Sequence, residues 1–255
     1  LKLLSSLSTE LALIPENLVR DFGENTTTSR KAMSALCKSL HNTNNIRAKK
    51  LYEQWSLQFS EVCDYDDASK MDVGSFAEKY GISEKNLNPF HFFFCLHTYY
   101  ALFIKLLATQ VVFYYLMPKI GSDLKKAVNF DNEDLKKYLS RLEEGGIFRD
   151  LGIMNFIEGD YFSWYLDVWD DELYQSIHKI ISTLANYSLV TLDVDPEETR
   201  DLLKKLYQQL MPKKIRHNLG EYYTPDWLAE RLLNMLDSGN FKGDPKKRLL
   251  DPACG

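Results

Sequence analysis

Apolar residues recur along most of the chain every three to four positions, the spacing that aligns them on one face of an α-helix. Leu51, Trp55, Phe59 and Val62 follow it, as do Leu135, Leu139 and Leu142, and again Ile177, Ile181 and Leu184. Each stripe predicts a helix with one buried face, so residues 1–200 read as a multi-helix domain of mainly α class. Breaks between helices are expected where turn-forming residues collect: GENTTTS at 23–29, HNTNN at 41–45, DYDDASKMD at 64–72, KNLNP at 85–89, PKIGSD at 118–123 and EEGG at 143–146. There is no internal repeat and no low-complexity tract.

The segment FFFCLHTYYALFIKLLATQVVFYYLM, residues 92–117, is apolar for longer than the roughly 20 residues that cross a bilayer. His97, Ala101, Lys105 and Thr109 recur in it every four residues and form a small and polar stripe along one side. Lys105 and His97 would be costly in lipid. The segment is therefore predicted as the central helix of a bundle, with that stripe turned toward a groove or a partner helix, and no membrane partner is expected.

The pattern restarts at residue 193 with DVDPEETRDLLKKLYQQL. Asp195 is placed to cap a helix, Pro196 to take its first position and Glu198 to complete a capping box. This marks a joint, giving a helical N-terminal domain over 1–200 and, over 201–255, a linker helix and the start of a second domain. Two motifs follow, LGEYYTPDWLAERLL and RLLDPACG. In the first, Gly220 permits a turn and Thr224 can cap a helix whose first position is Pro225, a cap contributing roughly 1 kcal/mol. That is an ordinary helix start. A helix N-terminus also offers free amides to a carboxylate, and Tyr222 and Tyr223 beside it present flat faces for a purine. In the second, Leu249 and Leu250 read as a strand running into a tight turn, with Asp251 placed to hold an amine or a ribose. The two motifs together could hold a molecule that carries a carboxylate, an amine and an adenine.

Composition narrows the partners. The chain has 255 residues, 45% of them hydrophobic and 26% charged, and a net charge of -5, so any contact with nucleic acid must be local. Residues 158–172 carry six acids and no base, whereas 202–219 carry Lys204, Lys205, Lys213, Lys214 and Arg216 and no acid. Solvated helix faces account for such runs; a phosphate-facing patch at Lys213, Lys214 and Arg216 is the other reading. Cys37, Cys63, Cys95 and Cys254 form no CxxC pair and no zinc spacing, which suits a reducing, cytoplasmic compartment. The opening LKLLSSLSTE has no initiator Met, basic region or cleavage site, so it is not expected to be a signal peptide, and the chain reads as an excised fragment. DYDDAS lacks the closing residues of a calcium loop, and Glu-x-Lys, GxSxG, HExxH and Walker motifs do not occur. His97, His178 and His217 stand apart from acids and cysteines in the sequence.

GEYYTP resembles the motif conventionally numbered ten, and LLDPACG the first half of motif one, of S-adenosylmethionine-dependent amino-methyltransferases acting on DNA. Their order resembles the gamma arrangement of adenine-N6 enzymes in restriction-modification and phage-defence systems. HTYYALFIKLLATQVV, GIMNFIEGDYFSWYLD and LYQQLMPKKIRHNLGEYYTPDWLAE are similar to the helical region preceding the methyltransferase domain in large single-chain members of the type I and IIG kinds. The resemblance covers residues 90–255 well and the first 90 weakly. It implies that 225–255 supply the first helix and strand of a Rossmann-like α/β domain. It further implies an S-adenosylmethionine site built from Gly220, Glu221, Tyr222, Tyr223, Thr224, Pro225 and Asp226 together with Asp251, Pro252, Ala253, Cys254 and Gly255. Double-stranded DNA would be the substrate, met in part by Lys213, Lys214 and Arg216, with a nuclease or specificity domain or subunit as a further partner. The Asn-Pro-Pro-Tyr motif that carries the family's chemistry does not occur in the sequence. No catalytic residue is therefore assigned, and the chain is not expected to methylate alone. In the complete enzyme a target adenine would be flipped from the duplex to receive the methyl group. Two other classes stay open: a helical interaction or DNA-docking module, with the acidic aromatic segment around Trp164 and Trp169 either as a contact face or buried in its own core, and a methyltransferase acting on RNA or protein.

Overall fold

The computed structural model describes residues 11–62, 73–83, 87–117, 123–157, 159–190, 202–210, 216, 224–236, 246 and 248. The turn expected at 64–72, the cap at Asp195 and the strand at Leu249–Leu250 lie outside them. Along the chain, β1 (Leu11–Ala12) leads into α1 (Pro15–Phe22), α2 (Thr27–Asn42), α3 (Ile46–Val62), α4 (Gly74–Lys79), α5 (Pro89–Leu116), α6 (Asp123–Ala127), α7 (Asn132–Glu143) and α8 (Gly146–Asp150). A 3-10 helix (Tyr161–Val168), α9 (Asp171–Leu184), β2 (Tyr187–Ser188), α10 (Leu202–Leu210) and α11 (Asp226–Leu236) complete it. The described fold is mainly helical, as the apolar spacing predicts, with one two-stranded sheet. The chain divides into two compact units, Leu1–Leu219 and Gly220–Gly255.

In the first unit α5 is the organising element. Asn88 starts it: its side-chain oxygen accepts the Phe90 amide at 2.9 Å and the His91 amide at 3.4 Å, and Pro89 follows where its missing N–H costs nothing. The helix has 28 residues, which makes it about 42 Å long. It is apolar nearly all round because α2, α3, α6, α9 and the 3-10 helix cover most of it, leaving Tyr115 and Leu116 exposed at its end. Of its most apolar stretch, 78% is buried against protein, which explains a helix long and apolar enough to span a bilayer as a core helix. The predicted stripes face the same core: Trp55 and Phe59 from α3, Leu135, Leu139 and Leu142 from α7, and Ile177, Ile181 and Leu184 from α9 are buried.

Polar residues start the helices, at Thr26 and Asn45 within expected breaks and at Asp131 and Asp170 outside them. Thr26 caps α2 through the Ser29 amide at 3.1 Å. Asn45 accepts the amides of Arg47 and Ala48 at the start of α3, and Asp131 and Asp170 cap α7 and α9. Gly145 joins α7 to α8 with φ 69°, and a Cβ there would lie 2.1 Å from the Ile157 carbonyl oxygen, so both the backbone conformation and the space demand glycine.

A clasp joins the early and late parts of this unit. β1 and β2 pair in parallel, Leu11 with Tyr187 and Ala12 with Ser188. The Tyr187 hydroxyl lies 2.7 Å from the Asn17 carbonyl and 2.6 Å from Asp21 Oδ2, two acceptors sharing one proton. Tyr99 reaches the same helix by donating to the Phe22 carbonyl at 2.7 Å. Packed against α1 is α10, whose Leu206 and Leu210 are buried, and the Tyr100 hydroxyl donates to the Leu210 carbonyl at 3.4 Å. The helix predicted as a linker thus packs into the first unit.

Candidate functional site

Of the residues expected to hold the cofactor, the structure describes Thr224, Pro225 and Asp226; Gly220–Tyr223 and Asp251–Gly255 lie outside the described residues. All three described residues are exposed and lead directly into α11. The first helical carbonyl acceptor is that of Pro225, which takes the Ala229 amide at 3.1 Å and the Leu228 amide at 2.9 Å. Pro225 therefore occupies the cap and Asp226 the first helical position, one residue later than the sequence predicts. A helix N-terminus favours a negative charge through its dipole, which suits a carboxylate. α11 leaves Trp227, within its first turn, and Leu232, Leu233 and Met235, beyond it, exposed. Of the basic residues, Arg216 is half-buried with helical backbone, and Lys213, Lys214 and His217 lie outside the described residues.

No family model, curated protein or solved structure matches the chain.

Lys105 and His178, two of the titratable side chains that sequence reasoning singled out, are engaged in holding the helices together. Lys105 Nζ, on the polar stripe of α5, lies 2.5 Å from Glu143 Oε2 at the end of α7 and 2.6 Å from Asp160 Oδ2. The other Glu143 oxygen accepts the Tyr165 hydroxyl at 2.8 Å. Burial pushes the Glu143 carboxyl above the usual range, against the opposing pull of Lys105 and of the Tyr165 hydrogen bond. Next along the stripe, Thr109 donates back to the Lys105 carbonyl at 2.8 Å. His97 sits among the rings of Trp55, Phe59, Phe93 and Phe162. Its Nε2 is buried with no hydrogen-bond partner among the described residues, and burial lowers its pKa to about 4. His178 Nε2 lies 2.8 Å from the Val128 carbonyl, a tie between α9 and the end of α6. The sequence signalled this cluster only through Lys105, since a lysine in an apolar helix calls for acids. Its partners were hidden by their distance along the chain.

The acidic aromatic segment is likewise absorbed. Trp164 is fully buried, stacked on Phe94 at 5.7 Å, with its indole N–H donated to Thr98 at 2.8 Å. Trp169 is half-buried and donates to Asn132 at 2.6 Å. Asp160 caps the 3-10 helix through the Phe162 amide besides pairing with Lys105. Asp167 pairs with Arg47, Asp171 accepts from Asn132, and Glu172 pairs with Lys38. These acids join α2, α3, α7, α9 and the 3-10 helix, which is why the run is acidic, and the tryptophans are core. An open groove of about 520 Å³ between α3 and the start of α5, lined by Tyr52, Glu53, Ser56, Leu57, Ser60 and Phe90, brings one carboxylate to a mainly apolar wall. Among the described residues it assembles no acid–base pair.

Proposed function

We propose that this chain is the helical part and the first cofactor-binding stretches of an S-adenosylmethionine-dependent adenine-N6 DNA methyltransferase of a restriction-modification or phage-defence system. The observation that carries this reading is the seating of the Thr-Pro step of GEYYTP at the start of α11. A motif-ten stretch ends there on a helix N-terminus able to take the cofactor's carboxylate. The exposed Trp227, Leu232, Leu233 and Met235 are the kind of surface a helix lays on the sheet of a Rossmann-like α/β domain. Asp251 would hold the amine or ribose and the turn from Pro252 to Gly255 the rest. When bound, the cofactor supplies the methyl group, which no side chain can. Lys213, Lys214 and Arg216 would meet phosphates of the DNA.

Titration calorimetry with S-adenosylmethionine tests this on a chain extended to include the Asn-Pro-Pro-Tyr motif. Asp251→Ala should remove a charged hydrogen bond worth roughly 1.5 to 3 kcal/mol, weakening affinity about tenfold to a hundredfold. Tyr223→Ala should cost less, through reduced stacking. Unchanged affinity in Asp251→Ala would overturn the assignment of the two motifs to one site.

A further inference from the structure

Residues 25–52 carry Arg30, Lys31, Lys38, Arg47, Lys49 and Lys50 and no acid, although the whole chain has a net charge of -5. All six cations are exposed, on α2 and the first turns of α3. Lys31 and Lys38 stand two helical turns apart and share the outward face of α2. Only residues 43–45 separate the end of α2 from the start of α3, and the exposed His41, Asn42 and Asn44 add hydrogen-bonding side chains to that corner.

Packing accounts for half of this charge. Arg30 donates to the Lys79 carbonyl and to Asn25. Arg47 Nη1 lies 2.9 and 3.0 Å from the two Asp167 carboxylate oxygens, and Lys38 pairs with Glu172. With Asn45 donating to the Asp167 carbonyl at 3.2 Å, these contacts fix the corner on the 3-10 helix and α9. The neighbouring acids are already engaged, since Asp170 caps α9 and Asp171 accepts from Asn132. Lys31, Lys49 and Lys50 have no carboxylate partner among the described residues; Lys49 donates to Asn44 at 3.3 Å. Lys49 and Lys50 do not serve their own helix either, because they lie near its N-terminus, where the dipole favours anions. Exposed and unmatched cations on a fixed helical corner suit phosphates, which gain by releasing their counterions to the solvent. We propose that Lys31, Lys49 and Lys50 make this corner a docking surface for the phosphate backbone of double-stranded DNA. The choice of DNA rests on the methyltransferase reading, whereas the surface rests on the charge and its exposure. Asn42, Asn44 and His41 would add contacts that position the duplex without reading its sequence.

Fluorescence anisotropy of a labelled, mixed-sequence DNA duplex, titrated with the whole chain across a salt series and without cofactor, tests this. Lys31→Gln, Lys49→Gln and Lys50→Gln combined should weaken binding at every salt concentration. The slope of log affinity against log salt should fall by about 0.9 for each lysine that meets a phosphate. The matching triple arginine variant should keep the parent slope, which separates lost charge from lost fold. Changing three exposed lysines elsewhere, Lys125, Lys126 and Lys137, to Gln should reduce the slope less. An equal loss in that control, an unchanged slope in the first variant, or no DNA binding by the parent chain would overturn the proposal. So would tighter binding to duplex RNA or to phosphatidylserine vesicles than to DNA. Cofactor titration answers separately: DNA binding through these lysines, in a protein that fails to bind S-adenosylmethionine when extended, would sink the methyltransferase reading and leave this surface standing.

Discussion

Lys105 holds two carboxylates from a position where water cannot replace it. Its ammonium touches Glu143, which is 3% exposed, and Asp160, which is about one third exposed. Lys105→Met should destabilise the helical unit by about 3 to 5 kcal/mol at neutral pH, because it strands a buried charge. The pH dependence has a definite sign. Glu143 has a folded pKa above its unfolded value, so its contribution is fully present below the ordinary carboxyl range and is lost as pH rises through the raised value. Removing Lys105 raises that value further, so the deficit of Lys105→Met should shrink on acidification, as urea melts across pH will show. His97 has the opposite sign. Its folded pKa of about 4 lies below the ordinary 6.5, so stability present above 6.5 is lost as pH falls toward 4. His97→Phe sacrifices no hydrogen bond among the described residues, since Nε2 makes none. It should stay within about 1.5 kcal/mol of the parent at pH 7 and flatten the slope of stability between pH 6.5 and 4.

Single elements begin and end on short polar signals, which is why so many were legible. Asn88→Ala should remove the cap of α5 at a cost of about 1 kcal/mol, read as a lower urea midpoint at unchanged m-value. The same local chemistry made Thr26 and Asn45 visible as boundaries, whereas the caps Asp131 and Asp170 went unread, and apolar spacing marked the buried faces of α3, α7 and α9. What stayed hidden depends on distant partners. Two-residue strands are too short to show an alternating pattern, so β1 and β2 leave no signal. The acids of 158–172 read as a surface because their basic and amide partners sit on α2, α3, α5 and α7. Of the candidate site, the Thr-Pro helix start was legible from turn chemistry and misplaced by one residue, while Asp226 and Trp227 disclose nothing of a ligand by spacing alone.

At the scale of the molecule, a helical unit precedes a short second unit that starts at Gly220. If the stretch before that boundary meets DNA phosphates, changing Lys213, Lys214 and Arg216 together to Ala in the complete enzyme should weaken binding to any sequence. It should also reduce the salt slope by up to about 0.9 for each phosphate no longer neutralised. Filter binding across a salt series measures both, and an unchanged slope returns the cluster to solvent. The clasp has a consequence of another kind, in the order of synthesis. Tyr187 joins Asn17 across 170 residues of sequence, and α10, which also lies on α1, follows later still. A ribosome adding 5 to 20 residues each second therefore leaves the apolar face of α1, Leu18 and Phe22, without its final cover for on the order of ten seconds. For that interval the nascent chain presents a ready grip to chaperones and proteases, and the unit closes at its N-terminus last.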